Sequence, residues 1–473
     1  MGTVRFFRHS TQLFRYYVPT EFILLGLIEF LVLFFSLYLG LEFRFWGQDW
    51  ESDLGSFYTK AFLYASVMQV SLLAFGVYQR QAGRFFDVMM LRIASGLLLG
   101  LIPLGVSFYF VPTFFLGRGV LAAAVTFSFI LISIIRLLFR QVVKERNMWS
   151  RILVLGSGEH ARLIREADKA GELKGLNIVG YVVVNGDKHT EDDSDLIVLD
   201  KSLIECAAEQ DVDEIVLALD DRRQGSIPAK DLLDCKMSGI DILDMVSFFE
   251  RRTGKIRLDI LYPSWLYLSE GFHESTFRSV IKRAFDIAAV LLLLPIALPL
   301  MFLSIFAILI ESRARGPVLY RQTRVKQDNR PFQIYKFRSM VTDAEKDGVA
   351  RWASKNDSRV TRVGSIMRAL RLDELPQLFN VLKGDMSFVG PRPERPEFVA
   401  QLADIIPYYE ERHRVKPGLT GWAQIRYPYG STDDDGLEKL QYDLYYVKNF
   451  SIFLDLLILL QTAEVVMLGK GAR

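Results

Sequence analysis

Four long apolar runs fill the first third of the chain, and they restrict its fold more than any other feature. Glu29 is the one charge within the first of them. Each run is about long enough to cross a hydrocarbon core of ~30 Å at ~1.5 Å per helical residue. A single soluble core would not need four such runs in succession, so we predict four transmembrane helices within residues 1–146. The predicted spans are residues 22–39, 61–78, 93–117 and 119–139.

The charges between these runs predict their orientation. Basic residues gather before the first run, between the second and third, and at the end of the fourth, whereas the loop after the first run is mainly acidic. Because loops rich in Lys and Arg stay in the cytoplasm, both ends of the bundle and the whole remainder of the chain should be cytoplasmic. The basic residues are Arg5, Arg8, Arg15, Arg80, Arg84, Arg92, Arg136, Arg140, Lys144 and Arg146.

Composition indicates that soluble domains follow the bundle. The 473 residues are 51% hydrophobic but 24% charged, a mixture that suits membrane spans joined to soluble units. The formal net charge of +2 gives no sign of nucleic-acid binding. The two cysteines, Cys206 and Cys235, form no CxxC or Cys/His cluster, so neither a disulfide framework nor a zinc site is predicted.

Residues 147–244 show the alternation of a doubly wound α/β domain. The first strand leads into Gly156-Ser157-Gly158-Glu159-His160-Ala161, a turn that could aim backbone N–H groups at a phosphate, with His160 as a helix-start residue. The second strand ends without an obvious carboxylate for a ribose. We therefore predict a Rossmann-like domain without a bound dinucleotide, and a regulatory nucleotide is the alternative. The strand-like runs are residues 151–155, 177–184 and 213–219.

A fifth apolar run, residues 287–310, follows a mixed linker at 245–279 and lies in the third region, residues 280–473. Pro295 and Pro299 lie within it, and each removes one helical hydrogen bond and favours a bend. From Tyr320 to Arg371 the chain has thirteen basic residues and five acidic ones. This excess of basic residues opposes export of the chain beyond the apolar run. A broken helix that enters the membrane and returns to the same face meets both conditions. An ordinary kinked span is the alternative.

Two strand-like pieces after this run carry basic side chains. Residues 318–325 and 332–340 flank a turn, and Arg321, Arg324, Lys336 and Arg338 lie on them. Such cations could bind lipid phosphates or a nucleotide diphosphate. A solvated basic face is the alternative.

The pair Asp373-Glu374 is the candidate catalytic group. It is predicted to open a helix that stops at Gly384, so a plain helix start is the alternative. Arginines on both sides favour a catalytic role, because a carboxylate among arginines should stay ionised and attack phosphorus while the arginines hold an anionic substrate. These arginines are Arg368, Arg371 and Arg392.

Six motifs of the third region carry a resemblance to a known family. They are Lys282-Arg283-x-x-Asp286, Tyr320-Arg321-Gln322, Lys336-Phe337-Arg338-Ser339-Met340, the segment from Leu372 to Val381, the segment from Gly384 to Pro393, and Lys416-Pro417-Gly418-Leu419-Thr420-Gly421-Trp422. These motifs resemble those of the bacterial sugar transferase family, the monotopic phosphoglycosyl transferases, and the whole chain resembles the large exopolysaccharide-type members. Pro263-Ser264-Trp265 and the ending 469–473 resemble the exosortase-associated branch. Some members have Ser-Pro at the membrane break, where this chain has Leu294-Pro295.

The resemblance implies both a fold and an activity. The fold would be a four-helix transmembrane bundle, a Rossmann-like α/β middle domain and a C-terminal α/β monotopic catalytic domain with a re-entrant membrane helix hairpin. The activity would be that of an undecaprenyl-phosphate glycosyl-1-phosphate transferase, which moves sugar-1-phosphate from a UDP-sugar to polyprenyl phosphate and releases UMP. It would act at the cytoplasmic face of the bacterial inner membrane, in the first membrane step of exopolysaccharide, capsule or O-antigen synthesis.

The resemblance also assigns roles to residues. Asp373 would be the nucleophile that forms a phosphosugar–aspartate intermediate, and Glu374 would orient or assist as acid or base. Mg²⁺ would bind the diphosphate, with Asp373 as its protein ligand. The substrate-binding residues would be Arg368, Arg392, Pro391, Lys336, Arg338, Arg321 and Gln322. The residues of the lipid headgroup contact and membrane hairpin would be Lys282, Arg283, Asp286 and Pro295.

Two other classes of function stay open at this point. A membrane-tethered sugar-nucleotide oxidoreductase would need a ribose carboxylate and a Tyr-x-x-x-Lys pair, and residues 151–244 contain no such pair. A non-catalytic scaffold for polysaccharide assembly would not need the Asp-Glu pair. The expected partners are a UDP-sugar of the glucose or galactose type, polyprenyl phosphate, membrane lipid, a second copy of the chain in a homodimer, and other polysaccharide-assembly enzymes.

Overall fold

The computed structural model describes residues 10–13, 16–46, 57–78, 86–143, 149–173, 175–184, 195–220, 229–269, 271–272, 276–342, 357–427 and 432–467. They belong to two compact units, Met1–Thr253 and Gly254–Arg473. Several charges used to predict the orientation, among them Arg5, Arg80 and Lys144, lie outside the described residues. So do residues 343–356 of the basic segment and the ending 469–473.

In the first unit, an antiparallel ribbon of β1 (Ser10–Leu13) and β2 (Tyr16–Pro19) precedes a helical region. The helices are α1 (Thr20–Arg44), α2 (Phe57–Ala74), α3 (Phe86–Phe110) and α4 (Arg118–Val143). Among all described residues, four helices are long and apolar enough to cross a membrane, and α1, α3 and α4 supply three of them. The 18-residue α2 carries Lys60 and Gln69 and is not in that set. Three of the four spans predicted within residues 1–146 therefore have a helix of the required length and apolarity.

A buried ion pair joins two of these helices. Glu29 of α1 is fully buried, and its carboxylate accepts hydrogen bonds of 2.6 and 2.9 Å from Arg136 of α4. Arg136 also donates to the Val77 carbonyl at 2.8 Å. Charges within apolar helices are costly unless they pair inside the bundle, which explains this arrangement. Arg136 is predicted from the sequence to belong to the basic end of the fourth run, but in the structure its side chain points inward to Glu29.

A five-stranded parallel sheet forms the α/β part of the first unit. The strands are β3 (Ser150–Leu155), β4 (Leu176–Val182), β5 (Leu196–Ile197), β6 (Glu214–Leu217) and β7 (Asp241–Asp244). They pair in the order β5-β4-β3-β6-β7, which is typical of doubly wound α/β domains. The accompanying helices are α5 (Glu159–Lys169), α6 (Leu203–Glu209), α7 (Ala229–Met237) and α8 (Met245–Thr253). Strands are present at all three predicted positions.

The second unit is built on two small sheets and a long helix. The antiparallel ribbon β8 (Leu319–Lys326) with β9 (Arg330–Phe337) and the parallel pair β10 (Ser387–Val389) with β11 (Gly418–Thr420) are the sheets. The helices are α9 (Pro263–Leu268), α10 (Thr276–Glu311), α11 (Arg362–Ala369), α12 (Gln377–Lys383), α13 (Pro396–Ile405), α14 (Trp422–Arg426), α15 (Asp433–Asn449) and α16 (Ile452–Met467).

Helix α10 is the fourth described helix that could cross a membrane. It is continuous over 36 residues, whereas a broken helix was predicted, and it contains both prolines, Pro295 and Pro299. Its buried apolar residues form a stripe at helical spacing, and the rest of its apolar surface is exposed; Leu292 and Phe302, for example, are 78% and 70% exposed. An apolar surface of this extent suits contact with lipid rather than water. The buried stripe is Val290, Ala297, Met301 and Ile308.

Candidate active site

The two candidate catalytic carboxyl groups lie in a tight turn between two helices. Asp373 and Glu374 belong to a 3₁₀ turn, Leu372–Glu374, and they are 7% and 9% exposed. Arg371, just before the turn, adopts a left-handed conformation with φ of 58°. Residues other than glycine rarely adopt this conformation, and it often marks a functional site. From the sequence, the pair is predicted to open the following helix. Instead α12 begins after Pro376, although it ends at Gly384 as predicted.

Three cations surround the carboxylate of Glu374. The Lys336 amine donates to Oε1 at 3.1 Å, and the Arg392 guanidinium donates to the same oxygen at 2.9 Å. The Arg371 guanidinium lies 3.7 Å from Oε2. Charge-assisted hydrogen bonds of this kind are stronger than neutral ones and fix the geometry of both partners. Glu374 therefore holds cations from three separate segments at one point.

The two carboxyl groups have opposite pKa shifts. Burial and the neighbouring Glu374 raise the pKa of Asp373, and the nearby cations only partly oppose this. Burial alone would also raise the pKa of Glu374, but Arg392, Lys336 and Arg371 hold it well below its usual range. Paired groups whose pKa values diverge are typical of sites with divided chemical roles. The expectation that arginines keep Asp373 readily ionised is corrected, since the closest cations lie on Glu374.

The β8–β9 ribbon brings one of its predicted basic residues to the carboxylates. Residues directly opposite each other in an antiparallel pair point to the same face. Lys336 lies opposite Tyr320, and Gln322 lies opposite Ile334, so Lys336 and Gln322 share a face. Arg321, opposite Tyr335, lies on the other face, with its guanidinium 5.6 Å from the ring centre of Tyr335. The ribbon's alternation thus separates Arg321 from Lys336.

The remaining predicted substrate residues divide between the site and its surroundings. Arg368, at the end of α11, is close enough to Asp373 to oppose its pKa rise. Pro391 is buried beside Arg392. Arg338 instead donates to the backbone carbonyl of Arg315 at 3.0 Å, where it supports the turn after α10. The structure therefore gathers Arg368, Pro391 and Arg392 with the carboxylates but not Arg338.

Asn380 explains why Lys336 and Glu374 meet. Its side-chain oxygen accepts from the Tyr335 N–H at 3.0 Å, and its amide donates to the Gln333 carbonyl at 2.8 Å. A buried amide with both ends satisfied by backbone fixes the relative position of two elements. Here it holds α12 against β9, one residue before Lys336.

Lys282, Arg283 and Asp286 each contact other groups of the second unit; Lys282 and Asp286 are buried and Arg283 is half-buried. The Lys282 amine is 2.6 Å from Asp455, and Asp286 accepts from the Ser387 hydroxyl and the Phe388 N–H, each at 3.0 Å. Arg283 donates to two C-terminal carbonyls of α12. The expected headgroup contact of Lys282 is corrected, because Asp455 binds its buried amine, whereas the headgroup contact of Arg283 stays a prediction. Pro295 lies among the exposed apolar residues of α10.

Comparison with known proteins gives this geometry a family. A model described as bacterial sugar transferase matches residues 277–469, and one described as CoA-binding domain matches residues 73–233. The undecaprenyl-phosphate galactose phosphotransferase of Salmonella typhimurium is 30% identical over 366 residues, which are 73% of this chain and 74% of that protein. The chain belongs to the bacterial sugar transferase family.

Two further relatives have high identity over shorter segments. The UDP-N-acetylgalactosamine-undecaprenyl-phosphate N-acetylgalactosaminephosphotransferase of Aeromonas hydrophila is 44% identical over 242 residues, 51% of this chain. The undecaprenyl-phosphate glucose phosphotransferase of Komagataeibacter xylinus is 46% identical over 196 residues, 40% of this chain. The matched segments span 56% and 36% of these two proteins. The three names differ in the sugar, so similarity alone does not select one.

The first unit of this family member carries a phosphate-type cradle that its own side chain fills. Asp220 accepts from the Glu159 N–H at 2.8 Å and from the His160 N–H at 2.9 Å, at the start of α5. A Cβ atom at Gly158 would lie 2.0 Å from an Asp220 carboxylate oxygen. In dinucleotide-binding domains these N–H groups face the pyrophosphate. A carboxylate in that place both satisfies the donors and repels a second anion.

The full-length protein should therefore not bind NAD or NADH at micromolar concentration. Titration by calorimetry, at physiological ionic strength, measures this directly. Asp220→Asn serves as the comparison, because it removes the negative charge and keeps the shape of the side chain. Micromolar binding by the unaltered protein, together with a response of its activity to NAD, would contradict the prediction.

Two arginines that the sequence identified only as possible anion-binding cations have specific partners in the structure. Arg371 contacts Glu374. Arg324 lies on the same ribbon face as Lys336, and it donates to Gln322 at 2.7 Å and to the Pro393 carbonyl at 3.3 Å. Strand alternation could have distinguished Arg324 from Arg321, had the register of the ribbon been known. No local pattern gives that register.

Proposed function

We propose that this protein transfers sugar-1-phosphate from a UDP-sugar to polyprenyl phosphate, with release of UMP. The observation that carries the proposal is the buried Asp373-Glu374 pair, ringed by Lys336, Arg371 and Arg392. A carboxylate nucleophile beside fixed cations suits attack on a diphosphate. Relatives named as undecaprenyl-phosphate sugar phosphotransferases support the substrate classes.

The transfer would proceed in two displacements at phosphorus. A carboxylate oxygen of Asp373 attacks the sugar-linked phosphorus, and the phosphorus–oxygen bond to UMP breaks. An oxygen of the polyprenyl phosphate then attacks the same phosphorus, breaks its bond to Asp373 and forms the lipid diphosphate. Splitting the reaction allows an aqueous and a lipid substrate to react in turn. Because the pKa of Glu374 is low, it suits orientation of Lys336 and Arg392 better than proton transfer.

The donor set is compatible with Mg²⁺ shared between protein and substrate. Among the described residues, no group of three or more His, Cys, Asp or Glu side chains could hold a metal ion. Mg²⁺ often uses one or two carboxylates together with substrate phosphates, so Asp373 and the donor's diphosphate would suffice. The ion would offset negative charge on the phosphates when bound. Glu374 is less suited as a ligand, since cations surround its oxygens.

The contacts at both ends of α10 support a catalytic unit on one side of the membrane. Near its start Asp286 bonds to Ser387 and Phe388, and at its end Glu311 accepts from the Val363 N–H at 2.9 Å. Both partners belong to the same α/β unit. A helix that crossed the bilayer would place these ends on opposite faces, ~30 Å apart. We therefore propose that α10 is re-entrant and that the site faces the cytoplasm, where the basic segment should remain.

The raised pKa of Asp373 predicts the pH dependence of the reaction. The nucleophile must be ionised, so UMP release should fall as the pH drops through a pKa that lies above the usual aspartate range. Lys336 opposes that rise, so Lys336→Met should move the acid limb of kcat/KM to higher pH. Lys383→Met is the control, since this exposed lysine pairs with Asp385. An acid limb that stays in place in Lys336→Met, or moves to lower pH, would contradict the assignment.

A donor panel tests the proposed function directly. Purified protein with Mg²⁺ and undecaprenyl phosphate is given UDP-glucose, UDP-galactose, UDP-N-acetylgalactosamine and UDP-N-acetylglucosamine in turn, and UMP release is measured. At least one donor should give acceptor-dependent UMP and a labelled lipid product. Absence of UMP with every donor, from protein that is folded, would favour the scaffold alternative.

A further inference from the structure

The Arg392 segment, residues 391–394, presents Arg392 to Glu374 and is held in place by hydrogen bonds to its backbone carbonyl groups. Pro391 and Pro393 have no N–H, so the segment has few donors with which to fix itself. Each of its four carbonyl oxygens accepts a hydrogen bond from elsewhere in the unit. The donors are Gly418 N–H to Pro391 at 2.9 Å, Arg412 to Arg392 at 3.0 Å, Arg324 to Pro393 at 3.3 Å and Val325 N–H to Glu394 at 3.0 Å.

The donor to Arg392 is itself part of a buried ion pair. Arg412 comes from the turn Tyr409–Arg414 and is 5% exposed, and its guanidinium lies 2.7 Å from a carboxylate oxygen of Asp443. The same guanidinium donates to the Tyr409 hydroxyl at 2.6 Å. Asp443 lies on α15 and is 1% exposed. A connected path thus runs from Asp443 through Arg412 and the Arg392 backbone to Glu374.

A buried ion pair of this kind is weak evidence for stability, because desolvation offsets much of the attraction between the charges. A role in specifying geometry is the better-supported reason to retain one, and it has to be tested for each protein. Here the geometry in question is that of a cation placed on a catalytic carboxylate. We propose that Asp443 and Arg412 are positioning residues for sugar-phosphate transfer, which fix the Arg392 segment so that its guanidinium meets Glu374.

This inference rests on the proposed function, and it adds two residues that touch neither carboxylate. The groups facing Asp443 are Arg412, Glu394 and Lys439. Burial raises the pKa of Asp443, Arg412 opposes this and Glu394 adds to it, which brings the pKa to about 6. The ion pair is therefore formed at pH 7.5, and the experiment is set at that pH.

A double-mutant cycle separates positioning from general stability. Asp443→Asn should lower UMP release about 10- to 100-fold, because displacing a catalytic group by about 1 Å can cost this much. If Asp443 acts through Arg392, the same change made in Arg392→Ala should cost less than about threefold, because the positioned group is already absent. A radiolabelled UDP-sugar keeps the slow variants measurable. Equal fold-losses of UMP release in both backgrounds would overturn the proposal, since a general structural defect would lower activity by the same factor whether or not Arg392 is present.

Two further variants keep the test decisive. Asp443→Asn leaves an uncompensated buried Arg412 and could unfold, so Asp443→Leu with Arg412→Met removes both charges at once, a replacement that buried pairs often tolerate. A folded double variant with unaltered turnover would also overturn the proposal. Glu438→Gln is the matched control, because Glu438 lies on the same helix as Asp443 but pairs with Lys255, at 2.6 Å. This variant should keep activity within about twofold. If the unaltered protein releases no UMP, the proposed function fails rather than this inference.

Discussion

Replacement of Asp373 by asparagine should abolish UMP release, with a loss of at least about 10³-fold. The amide keeps the size of the side chain but has no anionic oxygen to attack phosphorus. The chain should still fold, because Asp373 pairs with no cation as closely as Glu374 does, and a neutral group is easier to bury than a charged one. The measurement is acceptor-dependent UMP release at pH 7.5, with circular dichroism and thermal unfolding of the same preparation.

Asp385→Asn is the matched control for this substitution. Asp385 is also largely buried, at 8% exposed, but its carboxylate pairs with Lys326 and Lys383 instead of the catalytic turn. The control should retain activity within about a few-fold, because Asp385 contacts lysines outside the catalytic turn. With a donor labelled in the sugar and no acceptor, label should remain on the unaltered chain and be absent from Asp373→Asn. Near-normal turnover of Asp373→Asn would remove the covalent mechanism for this residue.

Local sequence patterns foretold the parts of the fold that depend on local physics. The apolar residues 152–155 form the buried part of strand β3, because burial on both faces favours a continuous apolar sequence. Gly384 ends α12 with φ of 93°, a conformation that costs glycine little. Arg368 and Arg371 lie near the Asp373-Glu374 pair in space because they are close to it in sequence.

Partners distant in sequence could not be predicted in the same way. Lys282 and Asp455 are 173 residues apart, and a basic residue before an apolar run is equally suited to a lipid headgroup until its partner is known. Arg412 and Asp443 likewise lie on separate elements. The pKa of Asp373 depends on burial, which the neighbouring charges in the sequence do not reveal. These features are properties of packing rather than of the local pattern.

Both ends of α10 should lie on the cytoplasmic side of the membrane. Cysteines placed at Ser279 and at Ser312, one near each end of the helix, should both react with a membrane-impermeant thiol reagent only after the cytoplasmic side has been opened. Ser279 replaces the more obvious Lys282 because Lys282 is buried against Asp455. A cysteine at the exposed Trp46, in the loop predicted to be periplasmic, is the control and should react in intact cells. Both native cysteines are first replaced by serine.

Removal of the two prolines should disturb this course. Pro295 lies about 13 Å of helix after Asp286, near the depth of the bilayer centre, and each proline removes a hydrogen bond that a straight helix would form. Pro295→Leu with Pro299→Leu should straighten α10, expose the cysteine at position 312 to the periplasm in part of the population, and lower UMP release by about 100-fold or more. Leu292→Val with Leu303→Val changes two exposed residues of the same helix, keeps the prolines and should leave both readouts unchanged.

The reason for expecting a loss of activity lies in the contacts at the two ends. Asp286 holds β10, which leads directly to the Arg392 segment, whereas Glu311 holds the start of α11, which leads to Arg368 and the catalytic turn. A straightened helix cannot keep both contacts if its far end crosses to the periplasm, so the two halves of the site would separate. Labelling of the cysteine at position 312 from the periplasm, in a chain that retains both prolines and full activity, would refute the re-entrant course. The Glu311 contact would then need another explanation.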